Sequence, residues 1–186
     1  MPSTLPFFAA ALLVSAPALA QTVPVQNFHS VELRGGGSVE VVPGPTQRVT
    51  IFEGSGQFTH MRVERDGKLI IDTCDQRCPQ HYRLRVRVES PRVPDLGING
   101  GGAIVATGGF APQDHLSAAV NGGGKIDARS VEASSVSAAV NGGGELLVRP
   151  RQSLSAAVNG GGHIRYWGNP TTSVAIRGGG GVTRGN

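Results

Sequence analysis

Three ionisable side chains of different types could do acid–base chemistry if the chain brings them together. Lys125, Glu145 and His163 each follow a run of consecutive glycines, and these runs recur about every 20 residues. If these segments stack, a cationic base lies beside a carboxylate, as in β-helix enzymes that cleave acidic polysaccharides. The alternative is a ladder of alternating charge that favours strand register by a few tenths to about 1 kcal/mol per pair. Carboxylates are sparse and none are paired for catalysis, so we predict that the protein is not an enzyme.

A row of arginines is a candidate binding surface. Arg83, Arg85 and Arg87 alternate with apolar residues, which predicts a strand with all three guanidinium groups on one face. Arginine binds phosphate and carboxylate through paired hydrogen bonds. The alternative is a solvated edge strand that its charges protect from aggregation. No aromatic residue is interleaved with this arginine row, so we predict no nucleic-acid partner.

Tyr166 and Trp167 form an aromatic pair near the end of the chain, and Trp167 is the sole tryptophan. Such a pair can close the end of a repetitive core. It can also stack on a sugar, which makes Tyr166 and Trp167 the second candidate for a glycan-binding site.

The two cysteines, Cys74 and Cys78, are predicted to form a local disulfide in an oxidising compartment. Two thiols without a further Cys or His pair do not complete a tetrahedral metal site. The glycine triplets lack the Gly-Lys-Ser/Thr of a phosphate-binding loop and the recurring aspartate of a calcium-binding β-roll. We therefore predict no metal and no cofactor.

A recurring phrase sets the positions of these side chains. It begins at Leu116, Val136 and Leu154 and continues Ser-Ala-Ala-Val-Asn-Gly-Gly-Gly. Two diverged copies flank it, and the residues before the glycine triplets are Asn99, Asn121, Asn141, Asn159 and Arg177. A strand-like phrase that recurs about every 20 residues is typical of a solenoid. The sequence predicts an all-β protein, a parallel β-helix or solenoid with turns of about 18–22 residues and glycine-rich corners.

Alternation assigns the two faces of each copy. Leu, the first Ala and Val point to the core, while Ser, the second Ala and Asn form an outer Ser-Ala-Asn face. This flat face suits a regular partner or a second copy of the chain. The corners need glycine because it adopts positive φ, and the preceding asparagine tolerates the same region. The predicted turn glycines that open the triplets of the full copies are Gly122, Gly142 and Gly160.

The remaining sequence indicates export and further strands. Residues 1–20 resemble a secretory signal peptide that ends in Ala18-Leu-Ala20, and they are too short for a transmembrane anchor. Residues 21–186 form a single predicted domain, in which 21–95 contribute diverged strands and 96–186 the regular repeats. Asp66-Gly67 predicts a hairpin, and no segment has a helical apolar period. The formal net charge of +4 favours anionic partners.

The chain resembles the bacterial DUF2807 family, the head GIN domain of auto-transporter adhesins. The resemblance rests on four segments: Phe28-His-Ser-Val-Glu-Leu, Asp66-Gly-Lys-Leu-Ile-Ile, Arg85-Val-Arg-Val-Glu-Ser-Pro91 and Leu96-Gly-Ile-Asn-Gly-Gly-Gly. It implies an exported, β-helix-like domain with an adhesin-like role.

These observations favour an exported, non-catalytic binding domain of the cell envelope, located in the periplasm, at the cell surface or in the medium. The expected partner is an anionic envelope glycan, lipopolysaccharide or another envelope protein. The alternative is a structural or self-assembling envelope protein, which would form homo-oligomers. A polysaccharide-active β-helix enzyme is the third interpretation.

Overall fold

A computed structural model of the protein describes residues 20–74 and 77–186. These residues contain no helix and form fifteen strands of one sheet, which confirms the all-β prediction. The predicted signal peptide lies outside the described residues except for Ala20. The first seven strands are β1 (Gln21–Val23), β2 (Ser30–Gly35), β3 (Ser38–Pro43), β4 (Arg48–Glu53), β5 (His60–Val63), β6 (Lys68–Asp72) and β7 (Arg85–Ser90). The others are β8 (Asp95–Gly100), β9 (Ala103–Ala106), β10 (Gln113–Gly122), β11 (Lys125–Gly142), β12 (Glu145–Gly160), β13 (His163–Tyr166), β14 (Thr171–Arg177) and β15 (Gly181–Arg184).

The strands form two rows with the core between them, so the sheet nearly closes on itself. One row runs β5-β6-β2-β8-β10-β11-β12-β14, and the other runs β1-β4-β7-β3-β9-β11-β12-β13-β15. The long strands β11 and β12 belong to both rows, because their first residues pair in one row and their last residues in the other. The pairs are parallel except for β1 with β4, β4 with β7 and β5 with β6.

Equivalent positions of the recurring phrase lie side by side in the parallel pairs. The residues before the glycine triplets face one another in sequence, from Asn99 through Asn121, Asn141 and Asn159 to Arg177. The inward residues form two buried apolar ladders: Val120, Val140 and Val158, and Ile126, Leu146 and Ile164. Ser, the second Ala and Asn point outward in each copy, as alternation predicts, and Asn141 Nδ2 donates to Asn121 Oδ1 at 2.8 Å.

Each glycine of a triplet has a different structural role, which the copy at 142–144 illustrates. Gly142 has φ +116°, a region that residues with a Cβ rarely adopt. Gly144 has no such φ, but a Cβ there would come within 2.5 Å of Val120 Cγ1 in the preceding layer. A Cβ on Gly143 would meet nothing within 4 Å. The corner therefore requires glycine at its first and third positions only.

The N-terminal strands do not stack in chain order. The β2–β3 layer lies between the β6–β7 layer and the β8–β9 layer, because β2 pairs with both β6 and β8 and β3 pairs with both β7 and β9. The hairpin predicted at Asp66-Gly67 joins β5 to β6. In chain order, β2–β3 form the second layer of the stack, and β6–β7 then form the end layer on one side of it. The chain continues with β8–β9 on the other side of β2–β3.

The two ends of the stack differ. At the N-terminal end, antiparallel strands cover the last parallel layer: β5 lies beside β6, and β4 and β1 lie beside β7. At the C-terminal end, β14 pairs only with β12 and β15 only with β13, among the strands that the structure describes. The inward positions of β14 consequently remain open, and Val174 and Ile176 are 46% and 45% exposed.

Candidate functional site

The predicted arginine row is only partly realised. Arg85 and Arg87 lie on the outer side of β7, whereas Arg83 precedes the strand. The interpretation as an edge strand is wrong, because β4 pairs with the side of β7 opposite β3. Arg87 Nε donates to Glu40 Oε2 at 3.0 Å, and Nη2 lies 2.9 Å from the same oxygen in an ion pair. The Arg87 guanidinium lies 4.8 Å from the centre of the Phe52 ring.

Around this cluster is a shallow depression of about 400 Å³, which we call the Phe52 groove. Phe52 is 42% exposed. Arg85 forms no ion pair with any described residue, so its charge is available to a ligand. The groove is lined mainly by Ser38, Glu40, Phe52, Arg85, Arg87 and Val105.

A second and larger depression lies further along the same outer surface. It has a volume of about 570 Å³, and we call it the Trp167 groove. Its charged side chains are Arg129, Arg149, Arg184 and Asp127. Arg149 Nη2 lies 3.6 Å from Glu132 Oε1, and Arg184 Nη1 donates to Asn169 Oδ1 at 3.4 Å. With three guanidinium groups and one side-chain carboxylate in its lining, the groove favours anions.

Asp127 holds Arg129 in a fixed orientation. Arg129 donates to Asp127 Oδ1 from Nε at 2.9 Å and to Oδ2 from Nη2 at 2.6 Å. Burial alone would raise the pKa of Asp127. The side-chain and backbone hydrogen bonds from Arg129, with the charges of Arg129 and Lys125, lower this pKa below its usual value. Asp127 is therefore ionised at neutral pH and fixes one edge of the guanidinium group.

Tyr166 and Trp167 lie in different environments. Tyr166 packs against the hydrophobic core, and Trp167 is in the groove outside it. The Arg129 guanidinium is 5.1 Å from the Trp167 ring centre, Gly185 packs closely against the ring, and Trp167 Nε1 donates to the main-chain oxygen of Asn186 at 3.1 Å. Tyr166 therefore contributes to the core, whereas Trp167 lies outside it. Arg129 and Gly185 contact the indole, which lines the groove beside them.

The sequence contains a signal for this groove that alternation alone does not reveal. Arg129, Arg149 and Trp167 are separated by the same intervals as Asn121, Asn141 and Asn159. Each therefore occupies a similar place in successive layers, at a constant distance along the chain from its asparagine. Different residue types at equivalent positions conceal this recurrence.

The three side chains first considered for catalysis are neighbours in the sheet. Glu145 lies opposite both Lys125 and His163, and Lys125 Nζ is 2.6 Å from Glu145 Oε2. The base is thus held in an ion pair beside the carboxylate, as expected for a ladder of alternating charge.

Cys74 and Cys78 form the predicted disulfide. Among residues 20–74 and 77–186, no group of three or more His, Cys, Asp or Glu side chains is placed to hold a metal ion. No helix in the same residues is long and apolar enough to cross a membrane.

The fold and the two grooves define an all-β domain with a basic outer surface. The model of the family described as "Putative auto-transporter adhesin, head GIN domain" (DUF2807) matches residues 27–115 and 112–170. The chain therefore belongs to this family, which confirms the resemblance. No curated protein matches the sequence.

Several solved structures contain a chain similar to this one. A "putative adhesin" from Bacteroides fragilis NCTC 9343 has a TM-score of 0.52 and 17% identity, over 90% of this chain and 98% of that one. A "Putative lipid binding protein" from Parabacteroides distasonis ATCC 8503 has a TM-score of 0.38 and 17% identity, over 90% and 96%. A "putative adhesin" from Parabacteroides merdae ATCC 43184 has a TM-score of 0.38 and 16% identity, over 90% and 95%. The first of these supports the fold.

Proposed function

We propose that this protein is an exported, non-catalytic binding domain of the bacterial cell envelope, and that it holds an anionic envelope component in the Trp167 groove. The observation that carries the proposal is the convergence of Arg129, Arg149 and Arg184 on one depression beside Trp167. Membership of an adhesin family supports a role in surface binding. Anionic glycans and lipopolysaccharide are the ligands that this charge favours.

The proposal includes the architecture that presents the groove. Residues 1–20 are a signal peptide, and 21–186 are one parallel β-solenoid whose layers comprise about 18–22 residues. The parallel pairing of equivalent positions supports this architecture. Residues 21–95 provide the covered end and 96–186 the regular layers.

A non-catalytic role is supported by the pairing of the charged groups. Lys125 is bound by Glu145, and Asp127 by Arg129. A general base must be free to accept a proton from a substrate, and a carboxylate held in two hydrogen bonds with a lowered pKa is a poor base.

The test is binding of oxidised residues 21–186 to an array of glycans, lipopolysaccharides and peptidoglycan fragments. Because Trp167 is the sole tryptophan, its fluorescence reports on the groove directly. We expect saturable binding with a change in fluorescence, weakened about tenfold or more by the double variant Arg149→Ser/Arg184→Ser, which removes two charge-assisted contacts.

The matched control is the double variant Arg151→Ser/Arg177→Ser, which removes the same two charges from exposed residues outside both grooves. Equal losses in the two double variants would mean that net charge, not the groove, attracts the ligand. The variant Arg83→Ser/Arg85→Ser/Arg87→Ser tests the arginine row in the same way. If no component binds at any salt concentration, the proposed function is wrong.

A second candidate, a self-assembling envelope protein, is favoured by the open edge of β14. Val174 and Ile176 are exposed at an unpaired strand edge, and such edges pair with other chains. Sedimentation of residues 21–186 over a range of concentrations tests this function. We expect association that Val174→Lys abolishes. A protein that stays monomeric throughout excludes self-assembly through this edge.

A further inference from the structure

We propose that the Phe52 groove and the Trp167 groove form one elongated site for a linear polyanionic polysaccharide. Val105, which is 43% exposed, lines both grooves and joins them. This inference rests on the proposed function, because it assigns the ligand class and the extent of the same site.

The two grooves contain the same arrangement of side chains on either side of Val105. In each, a carboxylate holds the Nε–Nη2 edge of an arginine whose guanidinium lies over an aromatic ring: Glu40, Arg87 and Phe52 in one, and Asp127, Arg129 and Trp167 in the other. An arginine has five N–H donors, so the Nη1 edge of each remains able to donate to a ligand. The carboxylates thus orient the donors without using all of them.

The sheet register sets the distance between the two clusters. Arg87, Glu40, Val105 and Asp127 occupy directly opposed positions on the neighbouring strands β7, β3, β9 and β11. Three strand spacings separate Arg87 from Asp127 along the row, which is about 14 Å. A ligand must be at least this long to contact both clusters, and its middle must pass over the apolar side chain of Val105.

A polysaccharide matches this sequence of surfaces better than a nucleic acid does. Its carboxylate or sulfate groups fit the arginines, and the C–H faces of its sugar rings fit Val105. Nucleobases need open aromatic faces on which to stack. Here Arg87 lies over Phe52, while Arg129 and Gly185 occupy the Trp167 ring.

The experiment measures the affinity of oxidised residues 21–186 for sulfated oligosaccharides of increasing length, from disaccharide to dodecasaccharide. Neutral dextran oligomers and a single-stranded oligonucleotide of equal charge are the comparison ligands. The salt concentration is kept at about 0.15 M, where the Debye length of about 8 Å is shorter than the separation of the clusters. We expect a step of about tenfold or more in affinity at the length that first spans both clusters, because the second contact becomes intramolecular.

Two variants locate the step. Arg85→Ser removes the unpaired charge of the Phe52 groove, and Val105→Glu places a negative charge in the middle of the path; we expect either to abolish the step. Ala157→Glu adds the same charge to the exposed Ser-Ala-Asn face and should preserve it.

The outcomes separate this inference from the proposed function. If oligosaccharides bind but affinity rises smoothly with length, or if Ala157→Glu and Val105→Glu behave alike, the elongated site is wrong and the proposed function stands. If no oligosaccharide or other envelope component binds, both are wrong. An oligonucleotide that binds as tightly as the long oligosaccharides overturns the ligand class.

Discussion

Replacing each glycine of one corner by alanine tests the structural account of the repeat. Gly142, Gly143 and Gly144 are consecutive, so the three variants differ only in where one methyl group is added within a single turn. Only the first has a positive φ, and only the first and third would place the methyl group against the preceding layer. The structure therefore predicts three different effects on the free energy of unfolding.

The magnitudes follow from these contacts. Gly142→Ala combines a φ of +116° with a Cβ only 2.6 Å from the Gly122 carbonyl oxygen. Backbone strain of about 1–3 kcal/mol and overpacking of about 1–3 kcal/mol give a loss of roughly 2–6 kcal/mol. Gly144→Ala has the overpacking alone, at about 1–3 kcal/mol. Gly143→Ala has neither and reduces the entropy of the unfolded chain, so it should be neutral or stabilise by up to about 1 kcal/mol.

Urea denaturation of the disulfide-bonded protein, followed by far-UV circular dichroism, measures the order of the midpoints. Thermal unfolding should agree, at about 2–4 °C per kcal/mol for a domain of this size. The expected order of stability is Gly143→Ala, wild type, Gly144→Ala and then Gly142→Ala, with the first two close together. A loss of stability in Gly143→Ala equal to that in Gly144→Ala would contradict this prediction, because it would mean that the triplet needs glycine only for chain flexibility.

Four further predictions concern other parts of the molecule. Asp127→Asn keeps an oxygen that can accept from Arg129 Nε but removes the negative charge, so it should bind sulfated oligosaccharide about fivefold more tightly at pH 7, because about 1 kcal/mol of repulsion is lost; titration calorimetry measures this, and weaker binding would mean that the full carboxylate is needed to orient Arg129. Because the pKa of Asp127 is lowered in the folded protein, its ionised form stabilises the fold at pH values above the usual carboxyl range. This stabilisation is lost as the pH falls through the lowered pKa. The melting temperature should therefore fall less on acidification in Asp127→Asn than in the wild type. Tyr82→Phe should lower the free energy of unfolding, measured by urea denaturation, by about 1–3 kcal/mol, because the buried Thr59 hydroxyl loses its hydrogen-bond partner at 2.7 Å. An unchanged free energy would mean that water replaces the tyrosine hydroxyl. Reducing the Cys74–Cys78 disulfide, which closes a short loop, should lower the free energy of unfolding by only about 2 kcal/mol. Global unfolding by reductant alone would show that the disulfide contributes more to stability.

The strand positions and faces of the repeats could be predicted from the sequence because near-identical copies must adopt near-identical structures. Alternation placed Val120 inside and Asn121 outside, and the register aligns them with their counterparts in the next copy. The hairpin at Asp66-Gly67 was equally local, and it joins β5 to β6. In both cases a few neighbouring residues contain the information.

The Trp167 groove could not be predicted in the same way, because several of its residues lie where the regular alternation stops. The β11–β12 register shifts between Ala128 and Glu132 and again between Ala133 and Ser135. This irregular segment includes Arg129 and decides which side chains share the Trp167 groove. The partners of Arg87 were hidden for another reason: Glu40 and Phe52 reach it through the non-sequential order of the N-terminal layers.

That non-sequential order has a consequence for how the chain folds. Contacts between C-terminal layers close short loops, such as the 20 residues from Asn121 to Asn141, whereas Glu40 pairs with Arg87 across 47 residues. By loop-closure entropy the longer separation costs roughly 1 kcal/mol more. The β2–β3 layer reaches β6 across 38 residues, from Val31 to Leu69, but reaches β8 across 65 residues, from Val31 to Leu96. We expect the regular layers to form first and the contact between β2–β3 and β8–β9, which closes the longest of these loops, to form last, so the two ends of the stack fold before the junction inside it joins them.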